Sequence, residues 1–161
     1  MWAPWRMAYV SDEHDDRFTG PRCLFCDLPA EGDDARTLIL ARGNHCYVIL
    51  NAYPYATGHL MVVPYAHVDR LTDLAPDAAS EIMEAARSAQ VVLADAMSPH
   101  GFNLGMNQGS AAGAGIEDHL HLHVVPRWSG DTNFMTTIGD LRVMPQALDE
   151  TYARLKPGFA A

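Results

Sequence analysis

The stretch His119-Leu120-His121-Leu122-His123-Val124-Val125-Pro126 constrains this chain more than any other. Imidazole and aliphatic side chains alternate along it, and in a β-strand successive side chains point to opposite faces. Leu120, Leu122 and Val124 then form a face that must be buried, while His119, His121 and His123 share the other. Three of the eight histidines in strict alternation argue against incidental placement. The chain has to build a sheet with one covered apolar side and one polar side.

The rest of the chain supplies what such a sheet needs. Thr37–Ala41, Cys46–Leu50, His59–Pro64 and Phe102–Met106 read as further strands, and His119–Val125 as the last, closed by Pro126. Short connections among the early strands make them antiparallel neighbours. One long helix is predicted from Asp77 to about Met97, with Ile82, Ala86, Ala89, Leu93 and Ala96 at three-to-four spacing. Pro76 punctuates its start, and Pro99 and Gly101 its end. Its many alanines suit close packing on a sheet. Met144–Leu155 reads as a short C-terminal helix, and segments 11–20 and 29–36 as polar loops. The expected fold class is α+β: a mostly antiparallel sheet of about five strands with one long helix on a face. At 161 residues the chain is expected to be a single domain over 1–161. Its parts are a Cys-x-x-Cys segment at about 1–36, a core at about 37–135 and a C-terminal segment at about 136–161.

Hydrophobic residues make up 48% and charged residues 19%, which excludes wholesale disorder. The formal net charge of −9 opposes binding along a nucleic-acid backbone, though one local site could still take a small polyanion. No apolar run approaches the ~18–20 residues that cross a bilayer. Met1-Trp2-Ala3-Pro4-Trp5-Arg6 lacks the charged head and apolar body of a signal peptide. Three cysteines suit no disulfide framework, so a cytoplasmic location is expected. Cys23-Leu24-Phe25-Cys26 reads as metal-binding or redox; the thioredoxin-like alternation of strands and helices that would favour redox is missing. Cys46 lies in an apolar strand and reads as packing. His14, His45 and His100 sit in polar or turn contexts and are given no role.

Two chemistries remain for the histidine face. The outer imidazoles of a strand triplet are about 13 Å apart at ~3.3 Å per residue. One ion with ~2 Å bonds could take two adjacent histidines but not all three. Alternatively each ring has its own task. A neutral imidazole is a good nucleophile toward phosphorus, and its neighbours can donate protons near neutral pH.

His-x-His-x-His followed by two hydrophobic residues resembles the signature of the histidine triad (HIT) nucleotide-binding proteins. Trp2-Ala3-Pro4-Trp5-Arg6, the Cys-x-x-Cys, Asn51 with Pro54, Gly58-His59, Pro64-x-x-His67, Asn107-x-Gly109 and Pro126-Arg127-Trp128 extend that resemblance over about residues 2 to 155. They look like a bacterial branch of diadenosine tetraphosphate hydrolases and phosphorylases. The resemblance implies a HIT-like fold and cleavage of a dinucleoside polyphosphate through a nucleotidyl-histidine. His121 would be the nucleophile, with Nδ1 held by a backbone carbonyl. His123 would bond the phosphate or the leaving oxygen, with His59 in support. Asn51 resembles the residue that holds the ribose, although an Asn at a strand exit equally forms turns. Asn107, Gly109, Ser110 and Gly113 belong to a small-residue loop suited to phosphate contact.

Zinc-bearing relatives imply a structural Zn2+ on Cys23, Cys26, His67 and His119. His119 then serves the metal while His121 and His123 remain for chemistry, with no catalytic metal required. The family also implies a homodimer formed by joined sheets, and Trp128–Met135 as a part that shapes the site. Trp2, Trp5, Met7 and Tyr9 would cover such a surface or cap the core. The chain departs from the family at Gly115-Ile116-Glu117-Asp118, where many members carry Gln-Ser or Gln-Thr. The rival readings are a nucleoside phosphoramidase and a non-catalytic nucleotide-binding adaptor.

Overall fold

The alternating apolar runs resolve into one five-stranded antiparallel sheet, seen in a computed structural model that describes residues 23–131 and 146–160. Its strands are β1 (Ile39–Arg42), β2 (Cys46–Leu50), β3 (Leu60–Pro64), β4 (Gly101–Met106) and β5 (Leu122–Arg127). They lie in the order β1-β2-β3-β5-β4, so the histidine-bearing strand is internal. Two helical turns, α1 (Leu24–Asp27) and α2 (Asp34–Thr37), precede the sheet. The long helix α3 is Pro76–Met97, and α4 is Leu148–Leu155.

Strand parity divides the core in two. Leu40, Val48, Leu50, Leu60, Val62, Leu120, Leu122 and Val124 face α3, which meets them with Ala78, Ile82, Ala86, Ala89 and Leu93. Burying Ile82 or Leu93 there contributes about 1.5–3 kcal/mol each. The opposite face gathers Phe25, Ile39, Tyr47, Ile49, Met61 and Val63. His119 and His121 meet Phe25 of that second group, and His123 stands opposite Met61.

Pro76 is the first residue of α3 rather than its preface, because a first-turn N–H needs no helical partner. The helix stops at Ser98 in a left-handed conformation (φ 49°), whose N–H bonds Ala94 O. Beyond α4 a tight turn over Lys156–Phe159 brings Lys156 Nζ to the carbonyls of Ile39 and Leu40, at 3.2 and 3.0 Å. Tyr152 Oη also donates to Ile39 O (3.1 Å). The C-terminal segment thereby covers the β1 edge.

Five expectations change. Thr37 ends a helical turn instead of opening a strand. Asp33 caps that turn by accepting from Arg36 N, and Leu38 (φ 62°) reverses the chain into β1. Segment 29–36 is accordingly not all loop. The last strand begins at Leu122, not His119, because both neighbouring ladders end there, at Val62 and at Met106. Leu120 N instead donates to Val68 O (2.7 Å). The same strand runs through Pro126 to Arg127. β3 starts only at Leu60, opposite Val124, so no strand on that side waits for the missing proline N–H. The C-terminal helix starts at Leu148. Met144, the polar segment 11–20, His14, the N-terminal tryptophans with Met7 and Tyr9, and Thr132–Met135 lie outside the described residues.

Gly58, just before His59, has φ 80°, and a Cβ there would lie 2.8 Å from Met97 Sδ and 3.1 Å from Leu93 Cδ2. Gly58→Ala should therefore cost about 1–3 kcal/mol, measured as a lowered denaturant midpoint at unchanged m.

Candidate active site

Each histidine of the site is held in one tautomer by a hydrogen bond to its far nitrogen. His121 Nδ1–H donates to the carbonyl of His119 at 2.8 Å, which puts the lone pair on Nε2. Burial lowers the His121 pKa below the ordinary imidazole range against the opposing pull of that carbonyl, so the ring is neutral at pH 7. His59 Nδ1 accepts from the backbone N–H of Tyr55 at 3.0 Å and lies 3.3 Å from Asn51 Nδ2. Its proton must then be on Nε2, which donates to His123 Nδ1 at 2.9 Å. His123 in turn carries its proton on Nε2. The rings of His121 and His123 are 4.8 Å apart and nearly perpendicular. A nucleophilic nitrogen and a proton-bearing nitrogen thus sit on adjacent rings of one sheet face.

His119 is turned the other way. Its Nε2–H donates to Pro64 O at 2.9 Å, leaving Nδ1 toward the cysteines. Nδ1 is 3.2 Å from Cys23 Sγ and 3.6 Å from Cys26 Sγ, and His67 Nδ1 is 3.4 Å from Cys26 Sγ. The four donor atoms all lie within 4.8 Å of one another. A tetrahedral zinc with ~2.3 Å sulfur and ~2.0 Å nitrogen bonds has ligand–ligand edges of about 3.3–3.8 Å. The donor set therefore fits such an ion in number, chemistry and spacing. Without a cation, burial and the Cys23 sulfur push the Cys26 thiol up to about 11. The expected ligand set is assembled in full, including His67, which is 41 residues from Cys26 in sequence.

The other expected residues divide. Asn51 Oδ1 accepts from Tyr53 N at 2.9 Å while Nδ2 faces His59, so the side chain both forms a turn and touches the histidine relay. Asn107, Gly109, Ser110 and Gly113 lie in the connection from β4 toward the triad, with all but Asn107 exposed. Gly109 and Gly113 have φ of 80° and 77°, yet a Cβ at either meets nothing within 4 Å. Their left-handed backbone is what favours glycine at both positions. Gly113 N–H is engaged with Ser110 O at 3.0 Å. Cys46 is buried in the core as expected, and burial followed by Glu81 pushes its thiol up to about 12. His100 Nδ1 accepts from Ser129 N.

The HIT domain family matches residues 33–130. The chain is 43% identical over 164 residues to the AP-4-A phosphorylase of Mycobacterium tuberculosis, covering 99% of this chain and 84% of that protein. The chain belongs to the HIT family. A bis(5'-nucleosyl)-tetraphosphatase (asymmetrical) of Schizosaccharomyces pombe is 33% identical over 82 residues, covering 51% of this chain and 44% of that one. Among solved structures, a zinc-bound HIT protein of Mycobacterium smegmatis superposes with TM-score 0.70 at 27% identity, over 86% of this chain and 93% of that one. A HIT protein of Sulfolobus tokodaii, at 22% identity and TM-score 0.69 over 86% and 92%, shares the fold.

Within this HIT site two residues escaped sequence reading. Tyr55 supplies the N–H that orients His59, and its ring lies 4.7 Å from that of His59 and 5.7 Å from that of His123. Phe25 meets the rings of both His119, in the Cys/His cluster, and His121. Its position between two cysteines was the available signal, but an apolar residue in a ligand turn does not say which ring it will meet.

Proposed function

We propose that this HIT protein cleaves dinucleoside polyphosphates, diadenosine tetraphosphate foremost, by passing a nucleotidyl group through His121 to phosphate. The observation that carries the reading is the paired tautomers: a lone pair on His121 Nε2 beside a proton on His123 Nε2. His121 Nε2 attacks the α-phosphorus, forming P–N and breaking the bond to the bridging oxygen. His123 Nε2–H donates a hydrogen bond to the leaving oxygen, and the nucleoside triphosphate departs as its anion. An anionic phosphate oxygen then attacks the same phosphorus, the P–N bond breaks, and its electron pair returns to His121 Nε2. Neutral His121 needs no base to expose its nucleophile, which is the gain from fixing its tautomer. His59 acts through His123 and is a positioning residue. Asn51 is assigned to the ribose, and Asn107, Gly109, Ser110 and Gly113 to the polyphosphate.

Identity to the mycobacterial phosphorylase favours phosphate over water as acceptor. Incubation with diadenosine tetraphosphate should give ADP and ATP when phosphate is present. AMP and ATP in the presence of phosphate would make it a hydrolase. Turnover of adenosine phosphoramidate alone would make it a phosphoramidase, and binding of the polyphosphate without turnover an adaptor.

Cys23, Cys26, His67 and His119 would hold a structural zinc, which supplies four-point anchoring of the α1 turn and leaves no coordination position for substrate. We further read residues 1–161 as one domain of a cytoplasmic homodimer. The exposed edge strand β4, with Leu104 at its surface, supports joining of two sheets, and light scattering on a sizing column checks it. Among the described residues no helix is long and apolar enough to cross a membrane.

A further inference from the structure

A single hydrogen bond does not fix the direction of an imidazole. His121 is tied at Nδ1 to the carbonyl of His119, but that bond leaves the ring able to rock about the contact. In-line attack at phosphorus requires Nε2 to point along one line, and misplacement by an ångström can cost about 100-fold. Something must brace the flanks of the ring. One flank meets His123, edge to face at 4.8 Å. The ring also meets Phe25, whose centroid is 5.1 Å away at 52°.

Phe25 is itself held from three sides. Its ring packs edge-on against His119 at 5.5 Å, and its side chain is 2% exposed within the cluster of Ile39, Tyr47, Ile49 and Met61. Its carbonyl accepts from Tyr47 Oη at 2.7 Å, so a buried strand residue grips the backbone of α1. Its chain neighbours on either side, one and two positions away, are Cys26 and Cys23 of the metal cluster. Ile116, in the segment that leads into the triad, packs on the same cluster. One aromatic ring therefore joins the metal-ligand turn to the imidazole of His121.

We propose that Phe25 is the positioning residue that braces the His121 imidazole, and that the metal cluster influences the reaction by seating this ring. The proposal rests on the reading of His121 as nucleophile. It requires no electrostatic link between the metal and the phosphate, because the coupling is a packed contact. The leucine that replaces the ring in Phe25→Leu keeps an apolar filler but loses the flat surface.

The test uses the full zinc-loaded chain and the variants Phe25→Leu and Ile49→Val. The second trims the same apolar cluster on β2, which β3 separates from the triad strand. Phe25→Met replaces Phe25→Leu should the latter not fold. Zinc per chain, KM, the rate of nucleotidyl-histidine formation in a phosphate-free single turnover, and the histidine ring 15N resonances are measured together. Phe25→Leu should keep about one zinc. Its KM should stay within about twofold while adduct formation slows by about 10–100-fold. The His121 ring signals should shift or broaden, with those of His59 in place. Ile49→Val should form adduct at the wild-type rate. Wild-type adduct formation in Phe25→Leu overturns the proposal. So does an equal loss in Ile49→Val, or a loss of rate that accompanies loss of zinc. A wild-type enzyme that turns over with no adduct refutes the nucleophile instead. The brace is then judged by the ring signals alone, and an unmoved His121 overturns it.

Discussion

His121→Asn should lower kcat by on the order of 10⁴-fold or more, with no nucleotidyl adduct detectable by intact mass after an alkaline denaturing quench. The reason lies in one atom. Nε2 is the only ring nitrogen of His121 not committed to a backbone carbonyl, since Nδ1 is bound to His119 O at 2.8 Å. An asparagine amide can still donate to that carbonyl, so the local backbone keeps its partner. It offers no nucleophile at the position of Nε2. The expected pattern is preserved substrate binding, a circular-dichroism spectrum like the wild type, and lost turnover. Substantial turnover in a well-folded His121→Asn would remove this side chain from the chemistry. Had His123 been the nucleophile, its own far nitrogen would have had to keep a lone pair; the proton donated to it by His59 leaves that pair on Nδ1, inside the relay.

The second large effect concerns the metal. Protein purified without chelators should contain about one zinc per chain, and its removal should lower stability by about 3–5 kcal/mol. For a chain of this length that is a fall in Tm of about 10 °C. Zinc binding by unfolded fingers is worth about 10–16 kcal/mol, but there it makes the whole fold. Here the sheet and α3 have their own core, so chelation undocks only the α1 turn and its contacts. Phe25 and the Tyr47 hydroxyl lose their mutual support in that step. Cys23→Ser should reproduce the shift measured on chelation. Less than about half an equivalent of zinc, or an unchanged Tm after chelation, would argue against a filled site.

The two effects meet at the triad, where neighbouring histidines have opposite duties. His119 gives its Nε2 proton to Pro64 and its Nδ1 to the cysteines. Two residues on, His121 gives its Nδ1 proton to His119 itself. The backbone carbonyl of the residue proposed as a metal ligand therefore sets the tautomer of the proposed nucleophile.

Much of this is legible in the sequence alone. Period-two alternation dictates the faces of a strand wherever one face must be buried, so the histidine face and the strip of Leu120, Leu122 and Val124 followed from the residues. The stripe of Ile82, Ala86, Ala89 and Leu93 likewise required a helix lying on a sheet. The metal ligands and the nucleophile were implied by resemblance. What sequence could not carry was how far each ladder extends and where each ring nitrogen points. His119 leaves the strand because its neighbours stop at Val62 and Met106, a fact about partners distant in sequence. The proton on His123 depends on a relay from Tyr55 through His59, 64 residues away in the chain. Phe25 becomes a wall of the site only because α1 is drawn onto the sheet. Periodicity is a local property, fixed by neighbours in sequence. Hydrogen-bond direction and ring packing are properties of the folded surface, fixed by whichever groups the fold brings within reach.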